Sequence, residues 1–306
     1  MSLAYSSASK YSPTAAYRFQ KHQQELEAII ERTPEVEKES WKELLSRYYQ
    51  LSTFIAQHHG KDAQALSYAN RAVDIAFSLD DTELQSASLY RRSRVHLIQK
   101  MHDLAKQDVQ SALEKAEHAR GPLRGSSYLL AAEVSALYAG EDERLKTQCH
   151  KWQDKATNLI YKGKVEDDGT FLLFNLYAVH HERAKTLLRF ALFHTTDDEL
   201  VARLKNPHVR ADAKLLKDAQ DALTVAASQF GMNEPRTDLT LTEARLHLIA
   251  KEFEESAKAA KEALKLARKK HSARSVGEVR TLYTMLNELA PVNPYVRNLG
   301  IELEIY

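Results

Sequence analysis

Cys149 and His150 stand side by side, and a thiol next to an imidazole is the smallest set that supports nucleophilic catalysis. Two adjacent imidazole pairs, His58-His59 and His180-His181, carry the ligand type most used for transition metals. One geometric objection applies to all three pairs. Neighbours on a helix diverge by about 100°, so two successive side chains do not converge on one ion or one carbonyl. The i,i+4 step from His181 falls on Lys185, which is no ligand. No HExxH, EF-hand loop, CxxC, GxSxG, P-loop or GxGxxG pattern occurs. The expectation is a non-enzymatic protein with no catalytic residues, no metal and no cofactor.

Charge narrows the partners. The 306 residues include 43 basic and 42 acidic side chains, a net charge of +1, which speaks against broad nucleic-acid binding. The run KEALKLARKKH (261–271) is strongly basic, yet cations at a helix C-terminus also complement the helix dipole. Glu35, Glu37, Glu39 and the tract VEDDGT read as solvated first-turn or loop acids. The single cysteine excludes an intrachain disulfide and fits a reducing compartment. No apolar run is long enough to span a membrane, and the N-terminal stretch MSLAYSSASKYSP shows no signal-peptide core. A cytoplasmic location is expected.

What positions these residues is helix. Only 9 glycines and 7 prolines occur, and strand-like alternation is nearly absent. Residues 1–12 read as a flexible N-terminus, and Pro13 opens a first helix to about Arg32. Thr33-Pro34 reads as an N-cap and first-turn proline for a helix ending at His59-Gly60. Asp62 starts another, and Asp80-Asp81 cap one at about 82–100. A turn at Met101-His102-Asp103 leads to a helix ending by Arg120, and Gly121-Pro122 breaks the chain. Further helices are expected at about 123–139, 141–160, 170–194, 208–229, 238–250, 252–270 and 273–289. Loops are expected at 162–170 and 230–238. A short helix follows Thr195–Asp198, and another follows Pro291 and Pro294.

A frame of small residues recurs on this pattern. Thr53, Ala65 and Ala72 are separated by 12 and 7; Ser93, Ala105 and Ala112 repeat the offsets 40 residues later. Ala244, Ser256 and Ala263 repeat them again. Four residues after each middle member stand Ala69, Val109 and Ala260. One small residue falls on the leading helix of a hairpin and two on the trailing helix, where they let the backbones approach closely. A hairpin so built leaves an apolar face for its neighbour to cover.

In this frame the chain resembles the tetratricopeptide repeat family, with ARLHLIAKEFEESAKAAKEALKLARK (244–269) as the fullest copy and Phe253 at the aromatic turn position. The usual glycine of the leading helix is Thr, Ser or Ala here, and the usual Trp is Tyr49, Leu89 or Thr240. Around 170–228 the frame residues Ala184 and Ala222 fit only with an insertion near Thr195–Pro207. The element order is also similar to the C-terminal sensor half of certain bacterial helix-turn-helix regulators, through ELQSASLYRRSRVHL, GPLRGSSYLLAAEVSALYAGED, HERAKTLLRFA, TDLTLTEARLHLIAKEFEESAKAAKEAL and NELAPVNPYVRNLGIELE. Few residues precede the repeats, so this resemblance implies either a sensor-like part without the DNA-binding domain or a fragment of a larger regulator.

The resemblance implies an all-α, right-handed superhelical solenoid of antiparallel hairpins. The repeat domain spans 13–270, with hairpins at about 41–79, 82–120, 123–160, 170–229 and 238–270, and capping helices fill 271–306. It also implies which positions line the concave face: Arg47, Gln50 and His58; Tyr90 and Arg94; His181, Lys185 and Arg189; Asp238 and Arg245. Cations outnumber acids there, and a concave groove focuses their field. The expected ligand is a peptide or protein segment, acidic or with a free C-terminus, held by Arg47, Gln50, Tyr90, Arg94, His181, Lys185, Arg189 and Arg245. The rival expectation is a passive scaffold or homo-oligomer with no small ligand. Trp41, Tyr48, Tyr49 and Phe54 read as packing between repeats.

Overall fold

The computed structural model describes residues 13–162, 172, 174–229 and 236–304, and all regular structure among them is helical. The expected flexible N-terminus, the loop from 163 and residues 230–235 of the second loop lie outside the described residues. The helices are α1 (Pro13–Arg32), α2 (Lys38–His58), α3 (Asp62–Ser78), α4 (Thr82–Ile98), α5 (His102–Lys115), α6 (Gly121–Ala139) and α7 (Glu143–Lys162). They continue as α8 (Leu176–Ala191), α9 (Asp197–Lys205), α10 (Ala213–Ser228), α11 (Thr237–Ile249), α12 (Phe253–Lys269), α13 (Ala273–Leu289) and α14 (Pro294–Glu302). A 3-10 turn at Glu35–Glu37 precedes α2. No helix among the described residues is long and apolar enough to cross a membrane.

The chain forms two compact units. One holds α1 to α5, α6 as far as Val134, and Lys270–Ser272; the other holds the rest of α6 and α7 to α14. In the first, α2 pairs with α3 and α4 with α5, and the leading helices α2 and α4 also touch. In the second, α8 pairs with α10 and α11 with α12, while α11 meets both α8 and α13. Helix α9 packs on α13, and α14 closes on α12 and α13.

The small-residue frame lies where the hairpins pinch. Thr53, Ala65, Ala72, Ser93, Ala105, Ala112, Ala244, Ser256 and Ala263 are each 0% exposed. Hydroxyls lock the same crossing from either side: Ser93 Oγ donates to the Ala105 carbonyl at 2.8 Å, and Ser256 Oγ donates to the Ala244 carbonyl at 2.7 Å. A second rung recurs too, with Ser46 Oγ on the Ala72 carbonyl at 3.0 Å and Ser86 Oγ on the Ala112 carbonyl at 2.8 Å. The turns repeat with the frame. Gly60, Lys100 and Lys251 have positive φ (67°, 60° and 63°), and the next amide reaches back to the Ala56, His96 and His247 carbonyl respectively. That is a Schellman closure, which satisfies carbonyls a helix end leaves open.

Several boundaries differ from the sequence reading. Thr33 does not cap α2; its hydroxyl donates back to the Ile29 carbonyl at 2.7 Å and so finishes α1. Gly121 and Pro122 lie inside the first turn of α6, where a proline's missing amide costs nothing. Helix α8 starts at Leu176, capped by Asn175 accepting from the Ala178 amide at 3.0 Å. Helix α10 starts at Ala213, capped by Asp212, whose own amide donates to the Ala191 carbonyl at 2.8 Å.

Candidate functional site

The leading helices carry the predicted binding residues, and each unit is described on its own. On α2, Arg47 donates from Nε and Nη2 to Glu43 Oε1 at 3.2 and 2.9 Å, a one-turn pair on its own helix. Gln50 is 2% exposed and its Nε2 donates to Ser88 Oγ at 3.0 Å. It is a strut between α2 and α4 and has no surface to offer a ligand. Tyr90 is half-buried against Val73, Leu89 and Ala112. Arg94 reaches from α4 to Glu133 on α6. Beside it the buried Arg91 lays its guanidinium 5.7 Å from the Phe54 ring centre, and burial pushes its pKa down. Sequence spacing offered no sign of Arg91 or of Glu133, because their packing depends on how far α4 rotates.

His58 and His59 do diverge, with their rings edge-on at 5.6 Å and 79°. Burial, then Lys61, lowers the His59 pKa. Among the described residues no group of His, Cys, Asp or Glu is placed to hold a metal ion.

In the other unit, α8 and α11 share a polar stack. His181 is buried, and its Nε2 lies 2.8 Å from Thr242 Oγ1, which itself donates to the Asp238 carbonyl at 3.0 Å. A hydroxyl has one proton to give, so this arrangement makes His181 Nε2 the donor. The Tyr177 ring stacks on His181 at 5.4 Å and 23°, and the Arg236 guanidinium lies 4.2 Å from the same ring's centre. Arg236 forks onto Asp238, Nε to Oδ1 and Nη2 to Oδ2, both at 3.1 Å. Burial and the Asp238 carboxylate push the Tyr177 hydroxyl well above the usual phenol range. Burial works to raise the Asp238 pKa, but His181, Arg236 and Tyr177 together outweigh it and hold the carboxyl well below its usual range. Tyr177 and Arg236 were not singled out in the sequence. Their roles need α8 and α11 to be neighbours.

Further along α8, Lys185 pairs with Glu182 at 2.8 Å, and Arg189 Nη1 donates to the His194 carbonyl. His194 is buried, with Nδ1 2.6 Å from the Leu192 carbonyl. Burial, then Arg189, pushes its pKa down to about 4, with Arg245 adding to the effect. Arg245 is half-buried on α11.

The residues with chemical promise elsewhere are engaged. Cys149 is 0% exposed, and burial pushes its thiol up to about 12, far from a thiolate nucleophile at neutral pH. His150 turns away onto Phe190, edge-on at 5.7 Å and 76°. The basic run on α12 is largely paired: Lys261 with Glu302 at 2.8 Å, Lys265 with Glu262 at 3.2 Å, and Arg268 with Glu304 at 3.6 Å. Comparison with family models, with curated proteins and with solved structures finds no match to this chain.

Proposed function

We propose that this protein is a non-enzymatic, tetratricopeptide-like repeat module of regulatory or sensory role, and that within each unit the hairpins stack in a right-handed superhelical sense. Its leading helices hold a peptide or a partner's segment by acidic side chains or a free C-terminus. The observation that carries this reading is the frame: every small residue of the three regular copies is buried, and the leading helices lie side by side. Repeat arrays of this kind present one row of helix faces for binding. Arg47, Tyr90 and Arg94 lie on that row in one unit and Lys185, Arg189 and Arg245 in the other, all partly exposed.

The scaffold reading draws on a specific observation as well. Arg47, Arg94 and Lys185 already have carboxylate partners in Glu43, Glu133 and Glu182. Such pairs exchange for a ligand carboxylate only where the ligand repays the lost contact. A peptide array probed with wild type, Arg94→Ala and Lys185→Ala separates the readings. The binding module predicts hits with acidic or free-carboxylate peptides that weaken in a variant. Equal binding by all three, or none by any, favours the scaffold.

A further inference from the structure

The cations of the second unit are not equally engaged. Lys185 sits on Glu182 at 2.8 Å, and Arg189 is held on the His194 carbonyl. Arg245 follows the frame residue Ala244 on α11, is half-buried, and has no hydrogen bond or ion pair among the described residues. Its helix is fixed against α8 by the His181–Thr242 contact of 2.8 Å. Arg245 and Arg189 both lie within electrostatic reach of the buried His194 imidazole; the acid facing it is Asp197, whose pull is weaker than that of either arginine. A half-buried guanidinium that shares a neutral imidazole with a second guanidinium is a cationic pocket short of a counter-charge.

We propose that Arg245 and Arg189 form an oxyanion subsite that takes a carboxylate of the bound segment. This rests on the peptide-binding reading above and goes further, because it names the anchor and sets it apart from the self-paired cations. An incoming anion would offset the two positive charges acting on His194. By reciprocity, protonation of His194 would tighten anion binding.

The test uses the full chain with isotope-labelled histidine. The His194 titration midpoint is followed by NMR alone, with sulfate, and with an N-acetylated, C-amidated tetraglutamate. The expected result is a rise of about 0.5 pH unit on saturation, equivalent to roughly threefold tighter binding to the protonated form. Arg245→Gln is expected to weaken the anion about tenfold or more and to abolish the anion-induced rise. Arg245→Lys, a point charge without the fork, falls between. Circular dichroism and the thermal midpoint of each variant check that the fold is kept. Equal affinity and equal rise in wild type and Arg245→Gln overturn the subsite and leave the peptide reading standing. Sulfate binding that needs Arg245, with an empty peptide array, supports the subsite and sinks the peptide reading. No rise in wild type with either probe overturns the proposal.

Discussion

A side chain's type said less here than the group it ends up touching. Arg92 is the clearest case: its Nε and Nη2 fork onto Asp108 at 2.8 and 2.7 Å, and His96 Nε2 lies 3.5 Å from the same carboxylate. Asp108 is 7% exposed, so this triad is an ion cluster inside the α4–α5 hairpin. Removing one partner strands a buried charge. Asp108→Asn is therefore expected to cost about 3 kcal/mol in urea unfolding, against less than about 1 kcal/mol for Glu43→Gln in the exposed Arg47 pair. The thiol gives a second check. With Cys149 wholly buried and its thiolate disfavoured, a maleimide reagent should label the native chain no faster than it unfolds, and label it promptly in denaturant. Rapid labelling of native protein would contradict the placement of α7. Residue-level prediction reached the divergence of His58 and His59 and the inertness of Cys149, which need only helix geometry. It did not reach the Arg94–Glu133, Gln50–Ser88 or His181–Thr242 contacts, which join residues 39, 38 and 61 apart.

At the scale of elements, the frame was readable because close helix crossings tolerate only small side chains, and that constraint repeats with the hairpin. The starts of α8 and α10 were not readable, because Asn175 and Asp212 cap them from within stretches whose polarity also suits a helix. The turns between paired helices make the sharpest prediction. Gly60, Lys100 and Lys251 occupy one structural position, all left-handed. An L side chain there costs roughly 1 kcal/mol, which glycine avoids. Lys251→Gly and Lys100→Gly should each raise stability by about 0.5 kcal/mol once the added freedom of the unfolded chain is deducted. Gly60→Ala should lower it by about 1 kcal/mol. Chemical denaturation of the three variants reads this directly. If both lysine variants lose stability, the lysine side chains have a role that the backbone does not explain. The crossing itself answers to size. Ala112→Leu places a branched side chain at a fully buried contact and should cost at least about 2 kcal/mol.

For the whole molecule, the division into two units passes through α6 between Val134 and Ser135, where no glycine or proline marks the sequence. The units differ in how they cohere. The second has a continuous apolar core from Ala184 to Leu303, whereas the first has smaller apolar clusters linked by polar struts such as Gln50–Ser88. Acid should therefore act through specific buried imidazoles. His59, His96, His150, His180 and His194 all have pKa values below the ordinary 6.5, with burial the largest cause in each. A histidine whose folded pKa is depressed takes up its proton more readily when unfolded. Its contribution to stability is complete above pH 6.5 and is lost as the pH falls toward the folded value. For His194, between the ordinary 6.5 and about 4, the loss reaches roughly 2 kcal/mol at pH 5 and about 3 kcal/mol at pH 4. His194→Gln removes that titration while keeping a polar group near the Leu192 carbonyl. Its unfolding free energy should fall less than wild type between pH 7 and pH 5, by about the 2 kcal/mol assigned to His194. Hydrogen exchange at pH 5 should place the wild-type weakening in α8, α10 and α11, around His194. A stability curve with the same slope in wild type and variant would mean that this imidazole is not buried uncharged, and the electrostatics assigned to Arg189 and Arg245 would fall with it.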